Sequence, residues 1–229
     1  MATTSVDAAR REAASGAPDD LPALGWLVGW IKGHRQLAAT IGALIVIGGV
    51  LGWWSAASRN RVEAAADQRL GQARLAFESR NYPLAASELS QIVENESGTR
   101  SAAQANLLLA QVRLYQGQNQ QAIDLLKRVT PALGRDFQSQ GYSLLGAAYE
   151  NNKQWKDAAA AYEDAARVAR FPFLKAQSLS DAGRVWVAAG DTSRAVAAYR
   201  TIISGMDSTV TRGEAKVRIG ELTRGSVAP

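Results

Sequence analysis

The chain has 229 residues, enough for one or two domains, with 47% hydrophobic residues and a formal net charge of +5. It contains no cysteine, which excludes disulfides, thiol catalysis, cysteine-based metal sites and a lipid-bearing cysteine. The basic excess is mild and no dense Lys/Arg run occurs, so binding to nucleic acid is not expected.

The first 35 residues divide into a polar tail and a short amphipathic segment. Residues 1–20 are small, polar and aperiodic, which predicts a disordered tail. Residues 21–35 place Trp26 and Trp30 four positions apart, on one face of a helix. A short surface helix is one interpretation. An interfacial helix at the level of the lipid headgroups is the other, and the apolar run that follows favours it.

Residues 36–58 form an uncharged and mostly apolar run that predicts a transmembrane helix. At about 1.5 Å per residue this run spans about 34 Å, which matches a bilayer core of about 30 Å. Trp53 and Trp54 lie where an aromatic belt is expected. A cleaved signal peptide is the alternative, because residues 55–57 (SAA) resemble a cleavage site. The preceding segment and the apolar run are both longer than is usual in such a peptide.

Small residues recur within this run at the spacing that lets helices pack closely in lipid. Gly48 and Gly52 form a G-x-x-x-G step, and Ala38 and Gly42 have the same spacing. The alternative is that glycine is simply common in membrane spans.

The basic residues flanking the run would place its C-terminal side in the cytoplasm. Long domains are translocated regardless of charge, however, so the count of basic residues does not fix the orientation.

From about residue 64 the chain repeats itself with a period of 36 to 37 residues. In each of four copies, one small residue precedes a second by twelve positions: Ala73 and Ala85, Ala110 and Ala122, Gly146 and Ala158, Gly183 and Ala195. This offset predicts pairs of antiparallel helices whose backbones approach closely at the small residues. A generic alanine-rich bundle would not keep the offset four times. Gly220 follows Gly183 by 37 positions and predicts the first helix of a fifth unit, which would cap the stack.

These residues resemble the tetratricopeptide repeat family, whose unit has about 34 residues, and the resemblance covers residues 64–223. The longer period implies longer turns between repeats. The resulting prediction is an all-α protein: a single N-terminal transmembrane helix, an α-solenoid of about four helix pairs and a C-terminal capping helix. The expected parts are residues 1–20 (tail), 21–35 (interfacial segment), 36–58 (transmembrane helix), 59–223 (repeat domain) and 224–229 (C-terminal tail).

The resemblance also implies a concave groove, lined by the first helix of each pair, that binds other proteins. The family's groove positions fall on Leu70, Arg74, Phe77, Gln104, Leu107, Gln111, Tyr115, Gln140, Ser143, Glu150, Asn151, Gln177, Ser180 and Arg184. The alternative is that these are ordinary solvated helix positions. Some relatives hold a terminal carboxylate with Lys and Asn, but Gln111 and Ser143 stand at those positions here. A receptor for chaperone tails is therefore disfavoured.

No motif indicates an enzyme, a cofactor or a metal. The sequence lacks the phosphate-binding loop, the dinucleotide-binding glycines, the zinc-binding helix and the nucleophile elbow. Its one histidine, His34, flanks the apolar run and is interpreted as an interfacial residue rather than a ligand or base.

The order of the parts resembles a family of bacterial inner-membrane proteins ancillary to the Sec translocon. These carry a periplasmic tetratricopeptide domain and are associated with chaperones that receive secreted proteins. The resemblance implies a non-enzymatic, single-pass adaptor with a cytoplasmic N-terminus, periplasmic repeats, and other proteins and the lipid bilayer as partners. The alternative is an accessory structural subunit of a large respiratory or photosynthetic complex, docked through its transmembrane helix.

Overall fold

The computed structural model describes residues 35–205 and 209–224, which form helices joined by short turns, with no strand among them. The all-α prediction is confirmed for this part of the chain. The chain divides into two compact units, Met1–Ser58 and Arg59–Pro229. The helices are α1 (Arg35–Glu78), α2 (Tyr82–Asn95), α3 (Arg100–Tyr115), α4 (Asn119–Val129), α5 (Arg135–Asn151), α6 (Trp155–Val168), α7 (Pro172–Ala188), α8 (Thr192–Gly205) and α9 (Thr209–Thr223), with a 3₁₀ turn at Thr130–Ala132.

Within the first unit, helix α1 carries large apolar side chains on its surface. Leu44 and Ile45 are each 68% exposed, and Trp53 and Trp54 are 73% and 66% exposed. In the described part of the chain, no helix was identified whose length and apolar character would let it cross a membrane.

Part of the predicted membrane region lies outside the described residues. Trp26 and Trp30 belong to residues 1–34, which the structure does not describe. Ala38 and Gly42 lie on α1, but their surroundings are not described. At Gly48 and Gly52, no described atom outside the helix backbone lies within 4 Å of where a Cβ would stand.

In the second unit, consecutive helices pack against each other in sequence order from α2 to α9. The C-terminal part of α1 joins the same stack, because Ala73 and Ala76 lie in one core with Ala85 of α2 and Ala105 of α3. The first helices of neighbouring pairs also touch, α3 against α5 and α5 against α7. Contacts to both the pair partner and the next repeat define an α-solenoid.

The eight small residues that define the repeat are all buried. The first small residue of each repeat is followed sixteen positions later by a larger residue on the second helix of the pair. At Gly146 a Cβ would lie 2.8 Å from the ring of Tyr162, and at Gly183 it would lie 2.7 Å from the ring of Tyr199. These two positions favour glycine, because a Cβ at such distances would force the tyrosine ring to shift. Ala73 and Ala110 are instead followed by Leu89 and Leu126, which are buried in the same core.

The turn between the two helices of a pair has the same geometry in all four repeats. One residue of each turn has a positive φ: Arg80 (60°), Gly117 (73°), Lys153 (60°) and Gly190 (81°). The next residue donates its backbone N–H to the carbonyl five positions earlier, for example from Asn81 to Ala76 at 2.9 Å and from Asp191 to Trp186 at 2.9 Å. This is the hydrogen-bond pattern with which helices commonly end.

Helix α9 packs against α8 at the C-terminal end of the stack. Its Ala215 and Ile219 are buried together with Tyr199 and Ile202. Nothing described lies within 4 Å of a Cβ built at Gly220, the residue in register with Gly183. The difference has a simple cause: Gly183 meets the second helix of its pair, whereas no described helix follows α9.

Candidate functional site

A small cavity of about 160 Å³ lies where α1, α3 and α5 come together. Five of the predicted groove residues line it, together with Leu108 and Phe137; the five are Arg74, Gln104, Leu107, Gln111 and Gln140. The Arg74 guanidinium donates a hydrogen bond to Oε1 of Gln104, which links the first two repeats. The cavity therefore combines amide and guanidinium groups with apolar walls.

Two of the predicted groove residues belong to the hydrophobic core. Leu70 is 2% exposed and packs with Ala73 and Ala105, so its side chain cannot reach a ligand. The reason is that Leu70 lies one helical turn before Ala73, on the face of α1 that meets the next helices. Leu107 is 3% exposed, although it lines the cavity.

Phe77 and Tyr115 form an aromatic cluster with Tyr82 beside the turns of the first two repeats. The Phe77 ring centroid lies 5.9 Å from that of Tyr82 and 5.5 Å from that of Tyr115. Tyr82 and Tyr115 are stacked, with centroids 5.5 Å apart and 7° between their planes. Tyr115 is 60% exposed, so this cluster offers a flat aromatic surface to solvent.

Gln177 and Ser180 line a second cavity, of about 350 Å³, between α7, α8 and α9. Phe173, Asp181 and Tyr199 line the same cavity. Burial raises the pKa of the Asp181 carboxyl and of the Tyr199 hydroxyl above their usual values. Carboxyl side chains, those of Asp181 and Glu214, line this cavity, whereas the guanidinium of Arg74 lines the smaller one.

Glu150 and Arg184, two further groove predictions, form an ion pair between the third and fourth repeats. The Arg184 guanidinium donates to both carboxylate oxygens of Glu150, at 2.5 and 2.9 Å, and its contact with Asp181 is longer, at 3.4 Å. The Tyr162 hydroxyl also donates to Glu150, at 3.3 Å. The hydrogen bond from Arg184 holds the pKa of Glu150 below its usual range, and burial raises the pKa of Tyr162. These groups hold neighbouring repeats together, and Asn151 next to them is exposed.

Four residues that the sequence analysis did not predict line the two cavities together with predicted groove residues: Leu108, Phe137, Phe173 and Asp181. Phe137 lies three positions before Gln140, Phe173 four positions before Gln177, and Asp181 four positions after it. Leu108 lies four positions after Gln104. Each of these residues lies a single helical turn from a predicted residue, so the spacing of helical neighbours was the signal that could have found them.

Ser143, another predicted groove residue, is half-buried.

The described residues contain no group of three or more His, Asp or Glu side chains that could hold a metal ion. The side chains of the groove are amides, aromatic rings and paired ions. Such groups can form hydrogen bonds and packing contacts.

Residues 64–170 match the family model described as a tetratricopeptide repeat-like domain. Residues 64–170, which are less than half of the chain, are therefore similar to a domain of this kind. The match ends before α7, yet α7 and α8 repeat the close approach of a glycine to a tyrosine that is seen in α5 and α6. No curated protein resembles the sequence closely enough to count as a relative.

Several solved structures share the fold. A protein of Podosopora anserina, described as a kinesin light chain with nearly identical TPR-like repeats, has 18% identity and a TM-score of 0.56, over 71% of this chain and 87% of that one. A MamA protein has 18% identity and a TM-score of 0.54, over 70% and 81% of the two chains. MamA from Desulfovibrio magneticus RS-1 has 18% identity and a TM-score of 0.50, over 62% and 78%. At these identities the likeness establishes the fold alone. The fold suggests a scaffold for protein–protein interaction, and repeat proteins of this kind are typically non-enzymatic adaptors.

Proposed function

We propose that the chain is a membrane-anchored, non-enzymatic adaptor whose repeat domain presents its groove to other proteins. The observation that carries the proposal is the make-up of helix α1. It contains both the exposed, mostly apolar residues 44–54 and two of the predicted groove residues, Arg74 and Phe77.

The membrane anchor is supported by the exposed apolar side chains of α1, since no described helix was identified as a membrane span. Residues 36–58 contain no charged side chain, and Leu44, Ile45, Val46 and Leu51 are each more than half exposed. Apolar surface costs about 25 cal/mol for each Å² in contact with water. A lipid bilayer removes that cost, and a soluble protein rarely leaves such a patch uncovered.

The support for an extended polypeptide as the groove ligand is a series of glutamines. Gln104, Gln140 and Gln177 lie 36 and 37 positions apart, one on the first helix of each successive repeat. A glutamine amide both donates and accepts hydrogen bonds, as does each peptide unit of an extended chain. The groove therefore suits the backbone of a partly unfolded protein.

We place this adaptor in a bacterial inner membrane, with its N-terminus in the cytoplasm and its repeats in the periplasm. The partners would be the Sec translocon or periplasmic chaperones. The support for this part of the proposal is the resemblance in the order of the parts.

Affinity purification of the full-length chain from solubilised membranes, followed by mass spectrometry, tests the partner. We expect translocon components or periplasmic chaperones, with recovery reduced at least threefold in the Gln104→Ala/Gln140→Ala double variant. The matched control is Gln91→Ala/Gln120→Ala, two exposed glutamines on second helices. Recovery of neither class of partner would contradict the proposal. Stoichiometric recovery of one respiratory or photosynthetic complex would instead favour an accessory subunit.

Membrane fractionation tests the anchor. The full-length chain should stay in the membrane pellet after extraction at alkaline pH, and a chain lacking residues 1–58 should be soluble. Gly48→Leu/Gly52→Leu should remain in the pellet but lose co-purifying membrane protein, because larger side chains prevent close helix packing. Gly49→Leu, on a different face of the helix, is the control. Unchanged recovery with the double variant would indicate that these glycines have no packing role.

The orientation can be tested because the chain has no cysteine of its own. We expect Ser97→Cys to react with a membrane-impermeant maleimide in intact spheroplasts, and Ser5→Cys to react only after lysis. The reverse pattern would place the repeats in the cytoplasm.

A further inference from the structure

A cavity of about 670 Å³, larger than either cavity of the groove, lies at the turns that join the first three repeats. Its apolar walls include Val93 near the end of α2, Ala103 on α3, Leu133 just after the 3₁₀ turn and Phe137 in the first turn of α5. Its charged residues include Arg100 and Arg128. The volume is in the range of sites that hold small ligands or peptide side chains.

The cavity lies beside α4, which is shorter than the second helices of the other repeats. Helix α4 has 11 residues, whereas α2, α6 and α8 each have 14. Pro131 in the following 3₁₀ turn has no backbone N–H and cannot continue the helix. The end of α4 and this turn therefore border an unfilled space: Val129 and Ala132 both line the cavity.

The cavity has an excess of positive charge. The Arg100 guanidinium lies 5.5 Å from the centroid of the Phe137 ring. Asp136 also lines the cavity, but its carboxylate pairs with Arg170. Within residues 35–205 and 209–224, neither Arg100 nor Arg128 forms an ion pair, so both remain available to an anionic partner.

The donors at the cavity come from three separate elements. Arg100 begins α3, Arg128 ends α4, and Gly134 precedes α5 without a side chain that caps the helix. A peptide carries carboxylates and backbone carbonyls along its length, so it can offer a separate acceptor to each of these elements.

We propose that this cavity, which borders the groove at Phe137, is a second partner site and takes an apolar side chain presented by an acidic peptide segment of another protein. The apolar side chain is buried against Val93, Leu133 and Phe137, which supplies affinity. The flanking carboxylates pair with Arg100 and Arg128, which supplies specificity.

Fluorescence anisotropy of labelled peptides with the full-length chain in dodecyl maltoside tests the proposal. The probe is the hexapeptide Glu-Asp-Leu-Phe-Asp-Glu. One control peptide has lysine at its four acidic positions, and the other has two serines in place of Leu-Phe. We expect saturable binding of the probe at one site per chain, and at least tenfold weaker binding of each control.

Variants assign the binding to the cavity. The double variant Arg100→Glu/Arg128→Glu should weaken probe binding at least tenfold. The control Lys156→Glu/Lys216→Glu changes the net charge equally at exposed positions, and it should weaken probe binding less than twofold. Ala103→Trp should fill the cavity and abolish binding; Ala132→Trp on the 3₁₀ turn is a second filling variant in case the first does not fold. Gln104→Ala/Gln140→Ala should leave probe binding unchanged, which separates this site from the groove.

Three outcomes would overturn the proposal. Equal weakening by the two charge-reversal pairs would indicate non-specific attraction. Binding that survives in a correctly folded filling variant would place the peptide elsewhere. Saturable binding of oleate without any binding of the peptide would assign the cavity to an amphiphile.

Discussion

The first two repeats and the last two fill the same space between their helices with different residues. Ala73 and Ala110 are followed sixteen positions later by leucine, and Gly146 and Gly183 by tyrosine. A Cβ at either glycine would lie less than 3.0 Å from a tyrosine ring. The larger ring takes the volume that the missing methyl group leaves, because protein interiors keep a nearly constant packing density. The repeats therefore conserve a combined volume rather than a residue type.

Removal of the large member of a pair should have the largest effect. Leu126 is completely buried and Tyr199 is 4% exposed. We expect Leu126→Ala to lower the free energy of unfolding by about 2–5 kcal/mol, and Tyr199→Ala by about 3–5 kcal/mol. Urea unfolding followed by circular dichroism measures both. A loss below about 1 kcal/mol would contradict the close packing of these pairs.

Enlargement of the small member should be less damaging and reversible by a second change. Gly183→Ala should cost about 1–3 kcal/mol, because the new methyl group meets the Tyr199 ring. Adding Tyr199→Leu recreates the alanine–leucine pair of the first two repeats, so the double variant should be more stable than the sum of the single effects.

A control for this pair is Gly213→Ala on α9, where nothing described lies within 4 Å of the new methyl group. It should stabilise the chain by up to about 1 kcal/mol, because alanine favours a helix more than glycine does. Simple additivity of Gly183→Ala and Tyr199→Leu would contradict the volume rule.

The four turns allow the repeats to be compared in a second way. Gly117 and Gly190 adopt a positive φ readily, whereas Arg80 and Lys153 adopt it at φ 60° with a Cβ present. We expect Lys153→Gly to stabilise the chain by up to about 1 kcal/mol and Gly190→Ala to destabilise it by a similar amount. Denaturant midpoints measure both, and a loss of stability in Lys153→Gly would show that its side chain contributes more than its backbone costs.

The smallest expected effects concern two carboxylates that contact Arg184. The pKa of Glu150 is lowered by its hydrogen bond from Arg184, so this group stabilises the fold above its unfolded pKa of about 4.3 and loses that effect as the pH falls through its folded pKa. The pKa of Asp181 is raised by burial, so its ionised form costs stability above the folded pKa, and protonation relieves that cost.

At pH 7 we therefore expect opposite effects from the two neutral amides. Glu150→Gln should lower the free energy of unfolding by up to about 1 kcal/mol, since Arg184 is half exposed and its charge is screened. Asp181→Asn should be neutral or slightly stabilising. Both differences should shrink between pH 7 and pH 3.5, and a loss of stability in Asp181→Asn at pH 7 would contradict the assigned cost of burying that charge.

The sequence by itself determined the helical repeat, because the spacing of small and apolar residues along the chain specifies which helix positions are buried. The offset of twelve between small residues and the register of about 36 predicted which positions would be buried at the helix crossings. Asn81 and Thr99 accept hydrogen bonds from backbone N–H groups at 3.3 and 2.9 Å, as expected of residues that precede helices.

Only the tertiary structure decided which of the predicted groove residues a partner can reach. Leu70 faces the core, Glu150 and Arg184 are paired with each other, and Phe137 joins the cavity that includes Gln104. It also revealed the cavity beside the shortened α4. A residue's spacing within one helix fixes the face on which it lies, but the packing of three or four helices fixes what that face meets.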